Sequence, residues 1–403
     1  MVLKNVIVVC DYAFVDGGAA KVAIQTALAL SRQTDLNVYY FAGCGEICDE
    51  LKNSRVISKS LGMYDLLGNP SKVDAFAKGI YNSKAGEEFE KLLLTLNLNE
   101  TVVHIHTWTK VLSCSIFRVC DMLNVKTFLT VHDYFLACPN GACYNYTKKE
   151  ICSIQPMTFK CLICNCDSRN YFHKVWRCLR QCKQNSVVRQ FKKLNYITIS
   201  QFQKRQLSAR LPVIEQSSIV RNIIDIGDSQ FTTNPEEQSW YVFIGRVTYE
   251  KGTDLFCEAV TRSSVEGVVI GDGPLKSCLE EKYSNIKFLG WKNKKEIDEV
   301  LKKTRVLVFP SVWYEGSPLT IPEVQAHGIP CIVTNCSSAT DDIVDGQNGL
   351  ITQANAAQLA EAIMRTKDDG FVKELSFNTL KQFAFSRTSE EKYIQQLMKI
   401  YEL

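Results

Sequence analysis

Short apolar runs recur along the chain, and a helical pattern follows most of them. The first run, Asn5–Cys10, contains no charged residue, which is typical of a parallel strand buried on both faces. Strands that alternate with helices in this way predict a parallel, doubly wound α/β sheet. The runs fall into two groups: Asn5–Cys10, Asn37–Phe41, Val102–Ile105, Thr127–Val131 and Tyr196–Ser200, then Trp240–Ile244, Gly267–Ile270, Ile286–Leu289 and Val306–Phe309.

The length of the chain, 403 residues, exceeds what a single hydrophobic core usually serves. We therefore expect two doubly wound α/β domains, residues 1–222 and 223–385, with a polar crossover that runs from Ser217 to Gln238. The last residues, 386–403, carry a further helical pattern that is clearest over Thr388–Tyr401.

The stretch Arg305–Thr334 predicts a strand, a polar loop, a helix and a second strand. Ser317 is the predicted N-cap of that helix and Pro318 its first residue, where a missing N–H has no consequence. The unpaired N–H groups and the positive dipole end of such a helix form an anion site that would fit a phosphate. Two carboxylates, Glu315 in the loop and Glu323 in the helix, flank this site. Alternatively, Glu315 is a solvated loop residue and Glu323 only favours a helix N-terminus through the helix dipole.

Glycine, histidine and basic residues follow several other predicted strands. Gly17 and Gly18 permit close backbone approach before an apolar helix. His132 lies at the carboxyl end of the strand Thr127–Val131, the edge at which open α/β sheets bind ligands. The corresponding residues of the second group are Gly245, Arg246, Lys251, Gly271 and Gly273.

Together these motifs resemble the signature of the retaining glycosyltransferases of family 4. Glu315 and Glu323 form an E-x7-E arrangement that contains SPLTIPE and is followed by HGIPCIVT. TVHDY around His132, GR-x4-KG from Gly245, GDGP from Gly271 and the FLGW segment also match the family. The resemblance covers nearly the whole chain apart from a cysteine-rich insert. It implies the GT-B architecture, in which two Rossmann-like domains face each other across a cleft and the last helix returns to the first domain.

The resemblance implies transfer of a sugar from a nucleotide-diphosphate sugar to a glycan or lipid-linked acceptor, with retention at the anomeric carbon, in surface polysaccharide or glycoconjugate synthesis. Arg246 and Lys251 would meet the charge on the leaving phosphate. His132 would contact the transferred sugar, Glu315 one of its hydroxyls and Glu323 the ribose, and catalysis would require no metal. The implied nucleotide-binding residues are Gly17, Gly18, Gly245, Gly271, Gly273, Ser317, Leu319, Thr320 and Glu323.

The chain departs from the family pattern at Ala20, where an acidic residue often follows the glycines, and at Trp313 and Tyr314 before the first glutamate. These departures leave the donor and the acceptor open. Other functions on the same architecture are a sugar-nucleotide epimerase or a phosphorylase. A non-catalytic, zinc-dependent binding protein is an alternative of another class. An NAD-type dehydrogenase is disfavoured, because the first strand is not followed by G-x-G-x-x-G.

Residues 138–182 interrupt the alternation and hold eight of the seventeen cysteines. Such density in a cytosolic chain favours metal binding or redox chemistry over disulfides. Cys161 and Cys164 form the best pair for tetrahedral zinc, which one of several other thiols could complete. The alternative is a set of reduced, partly buried thiols. The candidate thiols are Cys138, Cys143, Cys152, Cys161, Cys164 and Cys166.

The net charge of +4 conceals an asymmetry, because residues 1–222 carry 28 Lys and Arg against 17 Asp and Glu. Between Ser168 and Ile214 there are eleven basic residues and no acidic one, with Trp176 and other aromatics among them. This stretch predicts a patch for anionic lipid headgroups or a phosphate-bearing acceptor. Nucleic acid is disfavoured because no recognition module accompanies the charge. With no secretory signal before Asp11 and no membrane-spanning run, we expect a cytoplasmic protein, peripheral on the inner face of the membrane.

Overall fold

The structure is a computed structural model that describes residues 3–224, 231–386 and 388–402. The strands up to residue 224 are β1 (Asn5–Tyr12), β2 (Asn37–Cys44), β3 (Ile57–Met63), β4 (Thr101–Ile105), β5 (Lys126–Val131), β6 (Tyr144–Asn145), β7 (Glu150–Ile151), β8 (Leu194–Thr198) and β9 (Ser218–Ile219). Seven of them form one parallel sheet in the order β3-β2-β1-β4-β5-β8-β9. The short β6 and β7 pair antiparallel inside the cysteine-rich segment.

Helices cover both faces of this first sheet. Along β1, Val6 and Val8 belong to one buried apolar cluster while Ile7 and Val9 belong to another, so the strand is buried on both faces. The helices are α1 (Gly18–Gln33), α2 (Asp49–Lys52), α3 (Lys72–Ile80), α4 (Ser83–Leu93), α5 (Ser115–Met122), α6 (Phe159–Ile163), α7 (Tyr171–Val188) and α8 (Gln201–Ser208).

The second sheet is built in the same way from residues 240–352. Its strands are β10 (Trp240–Ile244), β11 (Glu266–Ile270), β12 (Ile286–Gly290), β13 (Thr304–Phe309), β14 (Cys331–Thr334) and β15 (Gly349–Thr352), and they pair in parallel in the order β12-β11-β10-β13-β14-β15. The accompanying helices are α9 (Thr253–Ser263), α10 (Lys276–Lys282), α11 (Lys294–Leu301), α12 (Thr320–Gln325), α13 (Ala356–Arg365) and α14 (Asp369–Ser386). The predicted fold class, two parallel doubly wound α/β units, is confirmed.

The last helix, α15 (Glu390–Glu402), packs on the first sheet's helices and core. Tyr393 Oη lies 2.8 Å from Thr26 Oγ1 on α1. Tyr401 Oη lies 2.6 Å from Nδ1 of His104 on β4. The chain therefore ends against the domain in which it began.

Some local elements differ from the sequence-based expectation. The pattern of apolar residues from Lys110 to Leu123 predicts a helix, but the helix begins only at Ser115. The buried carboxylate of Asp11 instead accepts hydrogen bonds from the backbone N–H groups of Lys110, Val111 and Leu112. Helix α14 carries no strong helical period, and β3, α2 and α3 lie outside the elements predicted from the sequence. They form because packing against the two sheets supplies the stability that local propensity does not.

Candidate active site

The carboxyl edges of the two sheets face each other across a cleft. Gly18 follows β1, and a Cβ atom placed on it would lie 3.9 Å from Cδ1 of Leu319, which follows β13. A Cβ on Gly316 would lie 3.0 Å from the carbonyl oxygen of His132, which follows β5. The Nζ of Lys21 in α1 lies 3.5 Å from Oε1 of Glu323 in α12. Residues from both sheets therefore meet at this edge.

Glu315 lies in the loop after β13, and three side chains donate hydrogen bonds to its carboxylate. Its Oε1 accepts hydrogen bonds from Lys251 Nζ at 2.6 Å, Trp313 Nε1 at 2.7 Å and Ser311 Oγ at 2.8 Å. Burial raises the pKa of Glu315, but the Lys251 charge and these hydrogen bonds outweigh burial and hold the pKa below its usual value. The structure thus brings Glu315 and Lys251 together as an ionised pair.

Arg246 and Lys251 share the loop that leaves β10. The Arg246 side chain is 63% exposed and lies 3.4 Å from Oε1 of the buried Glu250. The Lys251 side chain is only 19% exposed and points to Glu315. Of the two cations, Arg246 has the more exposed side chain and the longer contact with its carboxylate, so it can reorient toward a ligand more readily than Lys251.

The glycine turns after β10 and β11 touch each other. Gly271 has a φ of +131°, and a Cβ on it would collide with the carbonyl oxygen of Gly245. A Cβ on Gly273 would collide with the carbonyl oxygen of Val247. Only glycine fits such a close backbone contact. The two turns form one continuous backbone surface at the carboxyl edge of the second sheet.

The predicted N-cap role of Ser317 is wrong, because α12 begins at Thr320 with Leu319 at the N-cap position. Pro322 lacks the N–H that would donate to the carbonyl of Pro318 in a helix that began at Pro318. The first bond of the α-helical type instead runs from Glu323 N to Leu319 O, at 3.1 Å. Ser317 lies in the irregular lead-in, and Glu323 falls in the first helical turn.

Three histidines run from the core of the first sheet to the cleft. The ring centroids of His104 and His106 lie 4.3 Å apart, and His106 Nδ1 lies 2.9 Å from His132 Nε2. Burial lowers the pKa of His104 to about 3 and that of His132 to about 4, so both rings are neutral at physiological pH. Sequence reasoning found His132 only. The alternation of His104 and His106 on a predicted strand was the signal for the other two.

The cysteine-rich segment folds around a buried ammonium group. Lys174 of α7 is fully buried, and its Nζ lies 3.4 Å from Sγ of both Cys161 and Cys166. Within residues 3–224, 231–386 and 388–402, no group of three or more His, Cys, Asp or Glu side chains is placed to hold a metal ion. A structural zinc at these thiols stays a prediction.

Helix α7 contains four basic residues of the predicted patch, which are Lys174, Arg177, Arg180 and Lys183. The prediction that they form a surface is wrong for two of them. Lys174 is buried among the thiols, and Arg180 is 7% exposed beneath the rings of Phe135 and Trp176. Arg177 forms an ion pair at 2.8 Å with the buried Asp167. The sequence could not show this, because a long basic side chain buries its charge only where tertiary partners meet it.

Two parallel sheets with facing carboxyl edges, and glycine turns and charged side chains between them, define the GT-B class of glycosyltransferase folds. HepE from Anabaena, solved with UDP and glucose, has this fold with a TM-score of 0.67 at 13% identity over 99% of each chain. A glycosyltransferase from Rickettsia africae matches with a TM-score of 0.69 at 15% identity, over 99% of this chain and 98% of that one. The predicted GT-B fold is confirmed.

Residues 238–369 match the family model described as Glycosyl transferases group 1. The chain is also 29% identical over 183 residues to the UDP-Gal:alpha-D-GlcNAc-diphosphoundecaprenol alpha-1,3-galactosyltransferase of Escherichia coli. That match covers 41% of this chain and 44% of the relative. The chain spans about half the length of the curated relatives it matches. The family-model match thus lies in the second domain, and the fold of the whole chain agrees with it.

Among the residues that the structure describes, none of the helices has the length and apolar character needed to cross a membrane.

Proposed function

We propose that the protein is a retaining glycosyltransferase that moves a hexose from a nucleotide-diphosphate sugar to a glycan or lipid-linked acceptor. The observation that carries the proposal is the placement of the two E-x7-E glutamates. Glu315 and Glu323 both lie at the cleft, each beside a lysine, and these lysines come from different domains. Carboxylates so placed can bind hydroxyls on a donor that lies between the domains.

The leaving nucleotide diphosphate needs positive charge that is already in place when the glycosidic bond breaks. Arg246 and Lys251 supply it from one loop, and the backbone N–H groups around Ser317, Leu319 and Thr320 add further donors. Lys251 is held by Glu315 at 2.6 Å, so its ammonium needs little reorganisation. Arg246 is exposed and moves to the phosphate from its pairing with Glu250.

The sugar and the ribose are assigned to the remaining polar groups. Glu323 accepts hydrogen bonds from the ribose hydroxyls, which replace its contact with Lys21. Glu315 accepts a hydrogen bond from a hydroxyl of the transferred sugar. The turns at Gly17–Gly18, Gly245, Gly271 and Gly273 let the donor approach the backbone. His132 contacts the sugar as a neutral hydrogen-bonding group, because burial keeps its pKa far below neutrality.

Retention requires no nucleophilic side chain in this proposal. The acceptor hydroxyl attacks on the face from which the phosphate departs, and the leaving phosphate oxygen takes its proton. The bond from the anomeric carbon to phosphate breaks while the bond to the acceptor oxygen forms, so the configuration is kept. The acceptor of the E. coli relative is, by its printed name, a diphosphoundecaprenol-linked sugar. A similar acceptor here would place a cytoplasmic protein on the inner face of the membrane.

Incubation with radiolabelled UDP-, GDP- and ADP-sugars tests the proposal. We expect transfer to a supplied acceptor, or slow hydrolysis of one donor in its absence. The anomeric configuration of the product, read by proton NMR, tests retention. Donor binding without turnover would support the non-catalytic alternative, and isomerisation of the donor sugar would support an epimerase.

A further inference from the structure

A cavity of about 620 Å³ lies in the first domain, between α3, α7 and the loops that follow β4 and β5. It is separate from the contacts between the two sheets described above. Its walls are mainly apolar and include Leu66, Ala75, Phe76, Phe135, Phe172 and Trp176. Helices α3 and α7 are fixed together here, since Trp176 Nε1 donates to the carbonyl oxygen of Phe76 at 3.0 Å.

The wall of this cavity also carries positive charge. Arg180 is 7% exposed, and its guanidinium donates to the carbonyl oxygens of Thr109 at 3.4 Å and Pro139 at 3.2 Å. Burial lowers its pKa to about 10, which leaves it a cation at neutral pH. Arg180, Arg169 and Lys72 form no ion pair with any carboxylate of the described residues.

Three other charged groups of the lining are already partnered. Lys110 pairs with Asp16 at 2.9 Å and Arg177 with Asp167 at 2.8 Å. The one carboxylate of the lining, Asp65, accepts a hydrogen bond from the Tyr12 hydroxyl at 2.9 Å. The hydrogen bond from Tyr12 leaves the charge of Asp65 in place, but Lys72, Arg169 and Arg180 outweigh it. The net unpaired charge of the cavity is therefore positive and complementary to an anion such as phosphate.

The mouth of the cavity is surrounded by exposed apolar side chains. Of the lining residues, Phe76 is 49% exposed, Leu67 64% and Phe172 84%. Eleven of the 23 large apolar side chains exposed by the described residues lie in two short segments, 64–76 and 159–179. A concentration of this kind marks an interaction surface, whereas single exposed apolar residues do not.

The cavity also adjoins the cleft between the domains. Phe135 lies three residues after His132, and Thr109 and Lys110 follow the strand that carries His104. The ion pair of Lys110 with Asp16 ties this wall to the loop that ends at Gly17. A ligand could therefore extend from the cleft past the cations to the apolar mouth.

We propose that this cavity binds the lipid end of the acceptor, an isoprenoid-type chain that bears a phosphate or diphosphate. The phosphate lies at Arg180 and Arg169, the acceptor sugar reaches the cleft, and the chain leaves over Phe76 and Phe172. A glycan without lipid would need hydrogen-bonding walls, and these walls are apolar. This inference rests on the proposed function, since it names the acceptor of the same reaction.

Calorimetry with the full chain and farnesyl diphosphate as the probe tests the inference. We expect farnesyl diphosphate to bind at least tenfold more tightly than either inorganic diphosphate or farnesol. Phe172→Ser should weaken farnesyl diphosphate at least fivefold and leave inorganic diphosphate unchanged. Arg169→Gln should weaken both. Phe377→Ser, which alters an equally exposed phenylalanine of α14 in the second domain, is the matched control and should alter neither.

Two results would overturn the inference. Equal Kd values for farnesyl diphosphate and inorganic diphosphate would show that the cavity is an anion site that does not bind the lipid chain. Binding to phosphatidylglycerol vesicles without binding of farnesyl diphosphate would make it a membrane-headgroup surface. The proposed function is tested separately by donor hydrolysis. Turnover without binding of farnesyl diphosphate would contradict only the lipid site. Binding of farnesyl diphosphate without turnover would contradict only the transferase function.

Discussion

Lys21 and Glu323 form an ion pair between the domains, with 3.5 Å between Nζ and Oε1, although they are 302 positions apart in the chain. The two side chains are 30% and 39% exposed, and pairs in such surroundings contribute about 0–1 kcal/mol to stability. A ligand that binds Glu323 therefore replaces a weak interaction. The pair marks the position at which a donor would come between the two domains.

Replacement of Glu323 tests its ribose role. Glu323→Ala should raise the donor Kd about 10- to 150-fold, because a hydrogen bond to a charged group contributes about 1.5–3 kcal/mol. Lys21→Ala is the control and should change the Kd less than about fivefold, since the exposed pair is weak. Calorimetry with the nucleotide sugar measures both. An unchanged Kd in Glu323→Ala would rule out the ribose contact.

The two basic residues of the β10 loop should behave differently. Arg246→Ala should lower kcat about 100-fold with little loss of stability, because its side chain is exposed and its charge acts when the phosphate leaves. Lys251→Ala should lower kcat as well and also cost about 1–3 kcal/mol of unfolding free energy, since it leaves the buried Glu315 without its cation. Urea unfolding and turnover measure the two effects. A stability loss in Arg246→Ala equal to its activity loss would indicate a structural salt bridge instead.

Acid should destabilise the first domain through His104. The pKa of this histidine is lowered to about 3 by burial, so the unfolded chain takes up a proton below about pH 6.5 that the native state refuses. The contribution of the neutral His104 ring to the free energy of unfolding is complete above about pH 6.5. This contribution is lost as the pH falls toward 3, by up to about 1.4 kcal/mol per pH unit.

His104→Gln should reduce the slope between pH 6.5 and 5 by up to about 1.4 kcal/mol per pH unit, as measured by urea unfolding at each pH, and the part due to the buried His106 and His132 should persist. His173→Gln, which alters a partly exposed histidine of α7, should leave the slope as it is. A slope that is identical in wild type and His104→Gln would show that other groups control the acid sensitivity.

Chelation tests whether the reaction needs a metal. We expect turnover to survive EDTA, because Arg246 and Lys251 supply the charge that the leaving phosphate needs. Zinc content before and after treatment, measured by mass spectrometry, shows whether the cysteine-rich segment holds an ion. Loss of turnover that magnesium or manganese restores would contradict the metal-free mechanism.

The sequence predicted most strands of the two sheets, because each of these strands is a local apolar run, but it missed β3, β9 and β15. It also placed Glu315 and Glu323 on the correct loop and helix. It could not predict their partners, since Lys251 and Lys21 reach them only through tertiary contacts. The start of α12 was missed because Pro318 and Pro322 both favour the first turn of a helix, and only the backbone hydrogen bonds distinguish the two.

Charge was the least predictable feature. The run of basic residues in α7 has the composition of a solvated face, yet Lys174 and Arg180 point into the protein. Burial of Lys174 depends on thiols at Cys161 and Cys166, and burial of Arg180 on carbonyl groups at Thr109 and Pro139. None of these partners has a fixed spacing from α7 in the sequence, so no pattern could reveal the contacts.

The contact between Tyr401 and His104 has a consequence for how the protein is made. The first sheet cannot complete its core until α15 has been translated, because α15 supplies Tyr393, Leu397 and Tyr401 to that core and follows the whole second sheet in the chain. A nascent chain that has released only its first half exposes this apolar surface. A stop codon before α15 would therefore leave this apolar surface uncovered in the domain that is synthesised first.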